Sequence, residues 1–407
     1  MPGTSSLKRP VYEIPRLSVA DLDRDPHGLF RELRPLTPLV QREDGSYIVI
    51  RGNDVERMMK DERTRQVETE KMQAAGITSG ALFDIFANSM LLANGTTHRR
   101  RRAPLSRAFG FRLIAAMRPR IRAIAAGLID QREERGEMNF LDEYAALIPA
   151  RTICMLLGLP DDDIPSFTRW IYSVSRSLGS SFTPADVPEM EQSARNLMAY
   201  TTNLLAARRV APRDDFLTDY VAIVAQEDCL TAVEILSQVA TVVLAASDTA
   251  RTAMAALVSL LLQHRDQWEA VCGDPALIPG AVSEVLRYEP PVGSIPRFSL
   301  QDIDIDGRII PAQRVVSLST LSAMRDPVLY QEPERFNIRR ADHPARHLAF
   351  GGGVHRCLGE SLARVELEEG LAAVTTRLPQ MVLSGATPKI CGHSGVRRVS
   401  AMAVGWL

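Results

Sequence analysis

Apolar residues recur every three to four positions along most of the chain, and this period predicts a mainly helical protein. The predicted helices cover residues 113–136, 166–178, 187–208, 231–263, 279–288 and 357–378. The segment 231–263 is apolar around much of its circumference, which predicts a long helix buried at the centre of the protein. The pair Pro290–Pro291 ends the helix that precedes it.

Short apolar runs and alternating patterns predict a minor β part. The predicted strands cover residues 46–50, 298–300, 303–305, 308–310 and 315–318. Asn53 is the predicted cap of a short helix over 54–61, and residues 67–97 are predicted to form a long loop with bulky apolar side chains. Long loops of this kind are usually functional. Because the sequence shows no repeat and no linker, it predicts one α+β domain over residues 1–407.

Composition and charge place the chain among soluble globular proteins, with 45% hydrophobic and 24% charged residues. The 48 basic and 49 acidic residues give a net charge of -1, which gives no argument for nucleic acid as a partner. The first thirty residues are charged and lack the apolar stretch of a signal peptide. The uncharged run 235–247 would span about 20 Å as a helix, short of the roughly 30 Å of a bilayer core. We therefore expect a cytoplasmic protein without a membrane partner.

The five cysteines are scattered and form no C-x-x-C pair, which is typical of reduced thiols in a cytosolic protein. One of them, Cys357, follows three glycines in the string FGGGVHRCLG over residues 350–359. The glycines permit a tight loop, and a cysteine at the predicted start of the last helix would be favoured as a thiolate. His355 and Arg356 add positive character. A phosphate loop is the alternative, but no Lys-Ser/Thr pair follows these glycines.

The full string resembles the haem-binding signature of the cytochrome P450 family, in which the cysteine is the proximal iron ligand. The resemblance implies the cytochrome P450 fold and a heme b cofactor. The haem would be sandwiched between the helix 231–263 and the helix beginning at Cys357. By the same resemblance, the residues that bind the cofactor are His98, Arg102, Ala245, Arg297, Phe350, Gly351, His355, Cys357 and Gly359.

An acid and a hydroxyl, Asp248 and Thr249, interrupt the apolar face of the central helix. Buried polar groups are costly unless they are paired or used. The pair resembles the acid–alcohol pair that delivers protons for oxygen activation in this family, which would make both residues catalytic. The alternative is that Thr249 bonds a helix carbonyl and Asp248 is salt-bridged. Ala246 stands where glycine is common in the family, so the helix kink can differ.

Glu284 and Arg287 lie at positions i and i+3 of one predicted helix. The ordinary interpretation is a surface salt bridge worth under about 1 kcal/mol. The pair also matches the E-x-x-R motif of the family, and Arg335 would then be the third member of a buried network that holds the cysteine loop.

A basic run extends from His98 to Arg102. Such a run usually marks a solvated face or a polyanion site. By resemblance to the family, His98 and Arg102 would face a haem propionate, with Arg297 and His355 as further partners. The residues between them, 99–101, would face solvent or form a basic patch for an acidic electron donor.

The family resemblance implies a monooxygenase that inserts one oxygen atom of dioxygen into a C–H bond of an apolar small molecule, such as a terpenoid, steroid, fatty acid or aromatic. The chain has no nicotinamide- or flavin-binding segment. Electrons would therefore come from a ferredoxin with its reductase, or from a flavodoxin, to a monomeric enzyme. Segments 82–92 and 392–396 would line the substrate pocket. The individual pocket residues implied by the resemblance are Val242, Ala246, Val292, Ser294 and Ile295.

Two other functions compete with this interpretation. A peroxide-using haem-thiolate enzyme would replace the acid–alcohol pair with other residues, so the Asp248-Thr249 pair argues against it. A haem-binding sensor without turnover would need neither that pair nor a basic docking face. Product formation that depends on a redox partner would separate the sensor from the monooxygenase.

Overall fold

The computed structural model describes residues 13–178, 182–344 and 346–406, and its architecture is mainly helical. The predicted absence of a leader within residues 1–12 concerns a segment outside the described residues. The helices are α1 Val19–Arg24, α2 Pro26–Leu33, α3 Gly52–Met58, α4 Glu70–Ala74, α5 Ala81–Ala87, α6 Gly95–Ala108, α7 Phe111–Asp130, α8 Leu147–Leu156, α9 Ile164–Ser175, α10 Val187–Val210, α11 Phe216–Glu227, α12 Ala232–Gln263, α13 Arg265–Gly273, α14 Ile278–Tyr288, α15 Thr320–Ala323 and α16 Glu360–Arg377.

The β part consists of short strands in four small sheets. The strands are β1 Arg16–Leu17, β2 Leu39–Arg42, β3 Tyr47–Val49, β4 Thr64–Gln66, β5 Glu137–Asn139, β6 Ser294–Ser299, β7 Ile303–Ile305, β8 Arg308–Ile310, β9 Val315–Ser319, β10 Val382–Leu383, β11 Ile390–Cys391, β12 Arg398–Val399 and β13 Ala403–Gly405. The largest sheet has the order β1-β2-β3-β9-β6-β4, and the second has the order β10-β13-β5. Strands β7 and β8 form one hairpin pair and β11 and β12 another.

The central helix α12 begins at a well-formed cap. The Thr231 hydroxyl accepts from the Glu234 N–H, and the Glu234 carboxylate accepts from the Thr231 N–H. This capping box satisfies two backbone donors that a helix start leaves free. From there α12 runs for 32 residues, most of them buried. By length and apolar composition it is the one helix among the described residues that could cross a membrane, but most of its apolar stretch is buried inside the protein.

The core divides into a large helical cluster and two smaller clusters beside the main sheet. In the helical cluster, α12 packs against α8, α9, α14 and α16. The sheet registers matter for the site because β4 pairs with β6, which places Gln66 opposite Arg297. Strand β6 also pairs with β9. The sheet therefore delivers the β6 side chains to one side of the helical cluster.

Most predicted elements are present, and three differ. The last helix begins at Glu360, three residues after Cys357, because Leu358 and Gly359 form a turn. The predicted loop 67–97 contains the short helices α4 and α5. Asn53 lies inside α3 and Arg51 is the residue before it, so the predicted cap at Asn53 is wrong.

Candidate active site

The cysteine loop is a tight turn that packs against the end of α3. Gly351 and Gly353 have φ of 70° and 63°, which favour glycine. A Cβ atom on Gly352 would lie 3.0 Å from the Met59 sulfur, so a side chain there would clash. The Cys357 N–H donates to the Phe350 carbonyl over 2.9 Å and closes the loop. The sequence therefore fixes the cysteine by backbone geometry.

The Cys357 thiol is accessible yet surrounded by protein, as expected of a group that faces an internal cleft. Burial raises the pKa of this thiol, and the Gly359 N–H together with Arg102 and Arg356 offsets part of that increase. The prediction that a helix terminus at Cys357 favours the thiolate is therefore wrong. The helix starts three residues later, and the carboxylate of Glu360 in its first turn raises the pKa further.

Four predicted cofactor-binding residues carry basic side chains toward the same region. The rings of His98 and His355 lie 4.0 Å apart between centroids. Arg102 donates to the Arg356 carbonyl over 2.6 Å, which places it beside the cysteine loop. Arg297 is buried and donates to the side-chain and backbone oxygens of Thr64 on β4. Three elements distant in sequence thus converge on the cysteine loop.

These residues fit a buried dianionic group such as the two haem propionates. His98 is buried, and both of its ring nitrogens lack a hydrogen-bond partner among the residues that the structure describes. Buried polar atoms in native proteins are normally satisfied. Burial, followed by Arg102 and Arg99, lowers the pKa of His98 to about 4, and burial, His98 and Arg297 lower that of His355 to about 3. Anionic oxygens from a cofactor would satisfy these donors and balance the nearby cations.

The pocket residues predicted on β6 and before it are partly brought together with the loop. A cleft is lined by Ile295 and Arg297 with Gly351, Gly352 and His355, and by Met59 and Gln66. Ser294 is buried in the β6–β9 ladder opposite Ser319. Val292 is half-buried and forms a backbone bridge with Val396, which connects two predicted pocket segments.

The central helix opens one face in the middle of its buried length. Ala245 is exposed and Ala246 is half-buried, although Val242, Val243 and Leu244 before them are buried. The Thr249 hydroxyl donates to the Ala245 carbonyl over 2.9 Å. Asp248 is paired with Arg251 at 3.1 Å, and burial raises its carboxyl pKa, which Arg251 and Arg398 partly offset. Both local contacts of the alternative interpretation are present, on a face that is accessible from the protein interior.

Glu284 and Arg287 form a fully buried network. The Arg287 Nε and Nη2 atoms donate to the two Glu284 oxygens over 2.8 and 2.9 Å, and both side chains are 0% exposed. The third member is Arg340, whose Nε donates to Glu284 over 3.0 Å. The prediction of Arg335 is wrong for the side chain, which is 67% exposed and pairs with Glu332. Arg335 enters the network only through its carbonyl, which accepts from Arg287 and Arg340.

The surplus arginines of the basic run have a structural role that the sequence did not reveal. Arg100 and Arg101 both donate to Glu234, and Arg101 also donates to the carbonyls of Ala87 and Ser89. They tie α6 to the start of α12 and to the end of α5. Of the three, Arg99 is the one that remains exposed without such a role.

We expect replacement of Glu234 by glutamine to lower the free energy of unfolding by about 2 kcal/mol at pH 7, because the bonds to two arginines lose a charge. The hydrogen bond to Arg100 is the main contribution that lowers the pKa of Glu234 from 4.5 to about 2. A lowered carboxyl pKa stabilises the fold above the unfolded value and loses that effect as the pH falls. Urea unfolding should therefore show the difference from the wild type shrinking between pH 4.5 and 2. Glu269→Gln, at an exposed i,i+4 pair with Arg265, is the control and should change little at any pH. A difference that stays constant over this range would contradict the assignment.

Several site residues escaped the sequence analysis because they belong to no local motif. Arg340, Glu234, Met59 and Thr64 act through partners more than fifty residues away. Arg356 was noted only for its charge, but it donates to the Gly351 carbonyl and pairs with Glu360, and so connects both sides of the cysteine loop.

Comparison with known proteins agrees with this geometry. A family model described as Cytochrome P450 matches residues 276–389. The chain is 42% identical over 386 residues to the plant-inducible cytochrome P450-pinF1 of Rhizobium radiobacter, covering 95% of this chain and 91% of the relative. It is 30% identical to 6-deoxyerythronolide B hydroxylase of Saccharopolyspora erythraea, covering 87% and 88%. The crystal structure of P450BioI in complex with hexadec-9Z-enoic acid ligated acyl carrier protein superposes with a TM-score of 0.85 at 27% identity, covering 95% of this chain and 100% of that one.

Proposed function

The chain belongs to the cytochrome P450 family of monooxygenases, whose members use haem iron, and we propose on this basis that it inserts one atom of dioxygen into a C–H bond of an apolar small molecule. The observation that carries the proposal is the unpartnered, buried His98 beside the accessible Cys357 thiol and the guanidinium groups of Arg102 and Arg297. We further propose that residues 1–407 form a single domain around this site.

Each side chain at the site has one task in the proposal. Heme b, bound through the Cys357 sulfur, supplies the oxygen chemistry, which thiolate donation favours. The set of residues that binds the cofactor is His98, Arg102, Ala245, Arg297, Phe350, Gly351, His355, Cys357 and Gly359. Asp248 takes up protons from the solvent side, and the Thr249 hydroxyl passes them toward the accessible face at Ala245.

Replacement of His98 by leucine should weaken haem binding about tenfold, because one charge-assisted hydrogen bond is lost. The apoprotein should unfold at nearly the same urea concentration as the wild type, since the ring nitrogens have no described protein partner to lose. The rate of haem transfer to excess apomyoglobin measures the first effect. His264→Leu is the control, because that ring bonds the Leu260 carbonyl away from the site and should leave the transfer rate unchanged. Equal transfer rates for both variants would contradict the role of His98.

The substrate is proposed to be a moderately sized apolar molecule such as a terpenoid, steroid, fatty acid or aromatic. The proposal is supported by the apolar residues predicted to line the pocket, among them Val242, Ala246, Val292 and Ile295. The names of similar proteins fit that class: one hydroxylates 6-deoxyerythronolide B, and another has been solved with hexadec-9Z-enoic acid on its carrier protein. Ser294 is the polar group proposed to orient the substrate.

The electron donor is proposed to be a ferredoxin with its reductase, or a flavodoxin, that acts on a monomeric cytoplasmic enzyme. The donor would approach the cysteine loop, where Val354 is 67% exposed. Exposed Arg99 is proposed to supply positive charge there. Arg100 and Arg101 are excluded from this role because Glu234 holds them.

The test is turnover under labelled dioxygen with a ferredoxin and its reductase. A panel of one terpenoid, one steroid, one fatty acid and one aromatic would first be screened by ligand-induced change in the haem spectrum. A binding compound should then give a product that carries one ¹⁸O atom and whose formation requires the reductase. Binding without any labelled product would contradict the proposed monooxygenase and favour a haem-binding sensor.

A further inference from the structure

Arg251 lies one helical turn after Asp248 on α12 and contacts it directly. Arg251 Nη2 is 3.1 Å from Asp248 Oδ1, and the two side chains are 27% and 20% exposed. Asp248 Oδ1 and Arg251 Nε are both buried without a hydrogen-bond partner in the part of the chain that the structure describes. The carboxylate is therefore held by an ion pair that leaves capacity for a further hydrogen bond. Removing one partner of such a pair leaves the other charge poorly compensated.

Tyr172 on α9 holds the other side of the Arg251 guanidinium. The centre of the guanidinium lies 5.0 Å from the centroid of the tyrosine ring, within the range of a cation–π contact. The Tyr172 hydroxyl donates to the Ala146 carbonyl over 3.2 Å, immediately before α8. Arg251 is thus placed between a carboxylate on its own helix and a ring that is fixed to two neighbouring helices.

The surrounding charges show which groups act on this pair. Burial raises the pKa of the Asp248 carboxyl, and Arg251 and then Arg398 of β12 lower it. Burial raises the pKa of Tyr172 to about 12, and Arg251, Asp248 and Asp142 modify it, so the ring stays neutral in the working range. Arg251 is the cation with a described contact to Asp248, and Arg398 acts as a second positive charge.

We propose that Arg251 is a positioning residue for proton delivery, which keeps the Asp248 carboxylate ionised and oriented, and that Tyr172 holds Arg251 in place. The inference rests on the proposed role of Asp248 as proton donor to the site. Neither Arg251 nor Tyr172 touches the residues around Cys357. Both residues therefore act on the reaction through Asp248.

The direct test is titration of the Asp248 carboxyl by ¹³C NMR in the reduced, carbon monoxide-bound protein, with the resonance assigned by its loss in Asp248→Asn. Arg251→Gln should move the midpoint up by about one pH unit, because an opposite charge at contact distance is lost. Arg251→Lys keeps the charge and should move it less. Arg24→Gln removes the arginine of another i,i+3 aspartate pair on an exposed helix and should leave the midpoint unchanged. A midpoint in Arg251→Gln equal to that of the wild type would overturn the proposal.

Variants of Tyr172 test the second half of the proposal. Tyr172→Leu removes the ring and should move the Asp248 midpoint in the same direction as Arg251→Gln, by a smaller amount. Tyr172→Phe keeps the ring and should stay close to the wild type. If both variants titrate like the wild type, Tyr172 does not hold Arg251.

A turnover measurement distinguishes this inference from the proposed function. In Arg251→Gln, the product formed per oxygen consumed should fall about threefold or more, with a larger solvent isotope effect. Arg251→Lys should recover part of the coupling. If the wild-type protein forms no product, the proposed function fails, but the carboxyl titration still decides the contact between Arg251 and Asp248. Unchanged coupling in an active Arg251→Gln enzyme would overturn the role in proton delivery.

Discussion

Replacing Glu284 by alanine is expected to lower the free energy of unfolding by about 3–5 kcal/mol, because it leaves buried arginines without their counter-charge. The carboxylate accepts from Arg287, from Arg340 and from the Asn337 N–H, and none of its surface is exposed. Urea unfolding of the purified variant, or its soluble yield where it does not fold, measures the effect. Glu332→Ala is the matched control, since that carboxylate is exposed and pairs with exposed Arg335.

The same network separates two arginines that the sequence makes look alike. Arg340→Ala should destabilise nearly as strongly as Glu284→Ala, because its side chain is 5% exposed and donates to Glu284. Arg335→Ala should change the free energy of unfolding by less than about 0.5 kcal/mol. Equal effects of the two substitutions would show that the third member of the network is misassigned.

The reason for the wrong assignment is geometric. The E-x-x-R pair was predictable because its members are one turn apart on a single helix. Its third partner comes from an irregular segment, where no period relates sequence position to side-chain direction. Arg335 and Arg340 both approach the network, but Arg335 contributes its carbonyl and Arg340 its guanidinium. A single sequence contains no signal that separates these two contributions.

Asp248→Asn is expected to lower the rate of product formation about 100-fold, because the variant cannot take up and pass on a proton. Thr249→Ala should also lower product, while oxygen consumption continues and ends in hydrogen peroxide. Oxygen uptake, peroxide and product measured together with the redox partner test both expectations. The structural reason is the placement of this pair on the face of α12 where Ala245 is accessible.

Ser247→Ala provides the matched control for Thr249→Ala. The Ser247 hydroxyl donates to the Val243 carbonyl over 2.9 Å, which is the same i−4 bond that Thr249 makes to Ala245. Ser247 is buried on another face of α12. Loss of coupling in both variants would mean that the helix bond matters and that the Thr249 hydroxyl has no special role.

The parts of the fold that the sequence predicts well are those fixed by local patterns. The long central helix was predicted within one residue of its bounds, because its apolar run starts at Thr231 and Glu234 completes the capping box. The start of the last helix was wrong by three residues, since Leu358 and Gly359 carry no local signal that opposes helix. That small difference reverses the expected effect on the Cys357 thiol.

The roles of charged residues were harder to predict than their presence. The basic run 98–102 divides among three tasks, because successive residues of α6 point in different directions. His98 and Arg102 lie near the cysteine loop, and Arg100 and Arg101 bind Glu234. The decisive partner is more than a hundred residues away, so spacing within the run could not reveal it.

The central claim is that the Cys357 thiolate holds the haem iron, and the spectrum of the reduced protein under carbon monoxide tests it most directly. We predict that the wild type shows the red-shifted Soret band of a thiolate-ligated haem. Cys357→Ala should lose that band, and Cys391→Ala, which removes the other exposed cysteine, should keep it. A thiolate band that survives in Cys357→Ala, or a wild-type protein that binds haem without the band, would contradict the claim.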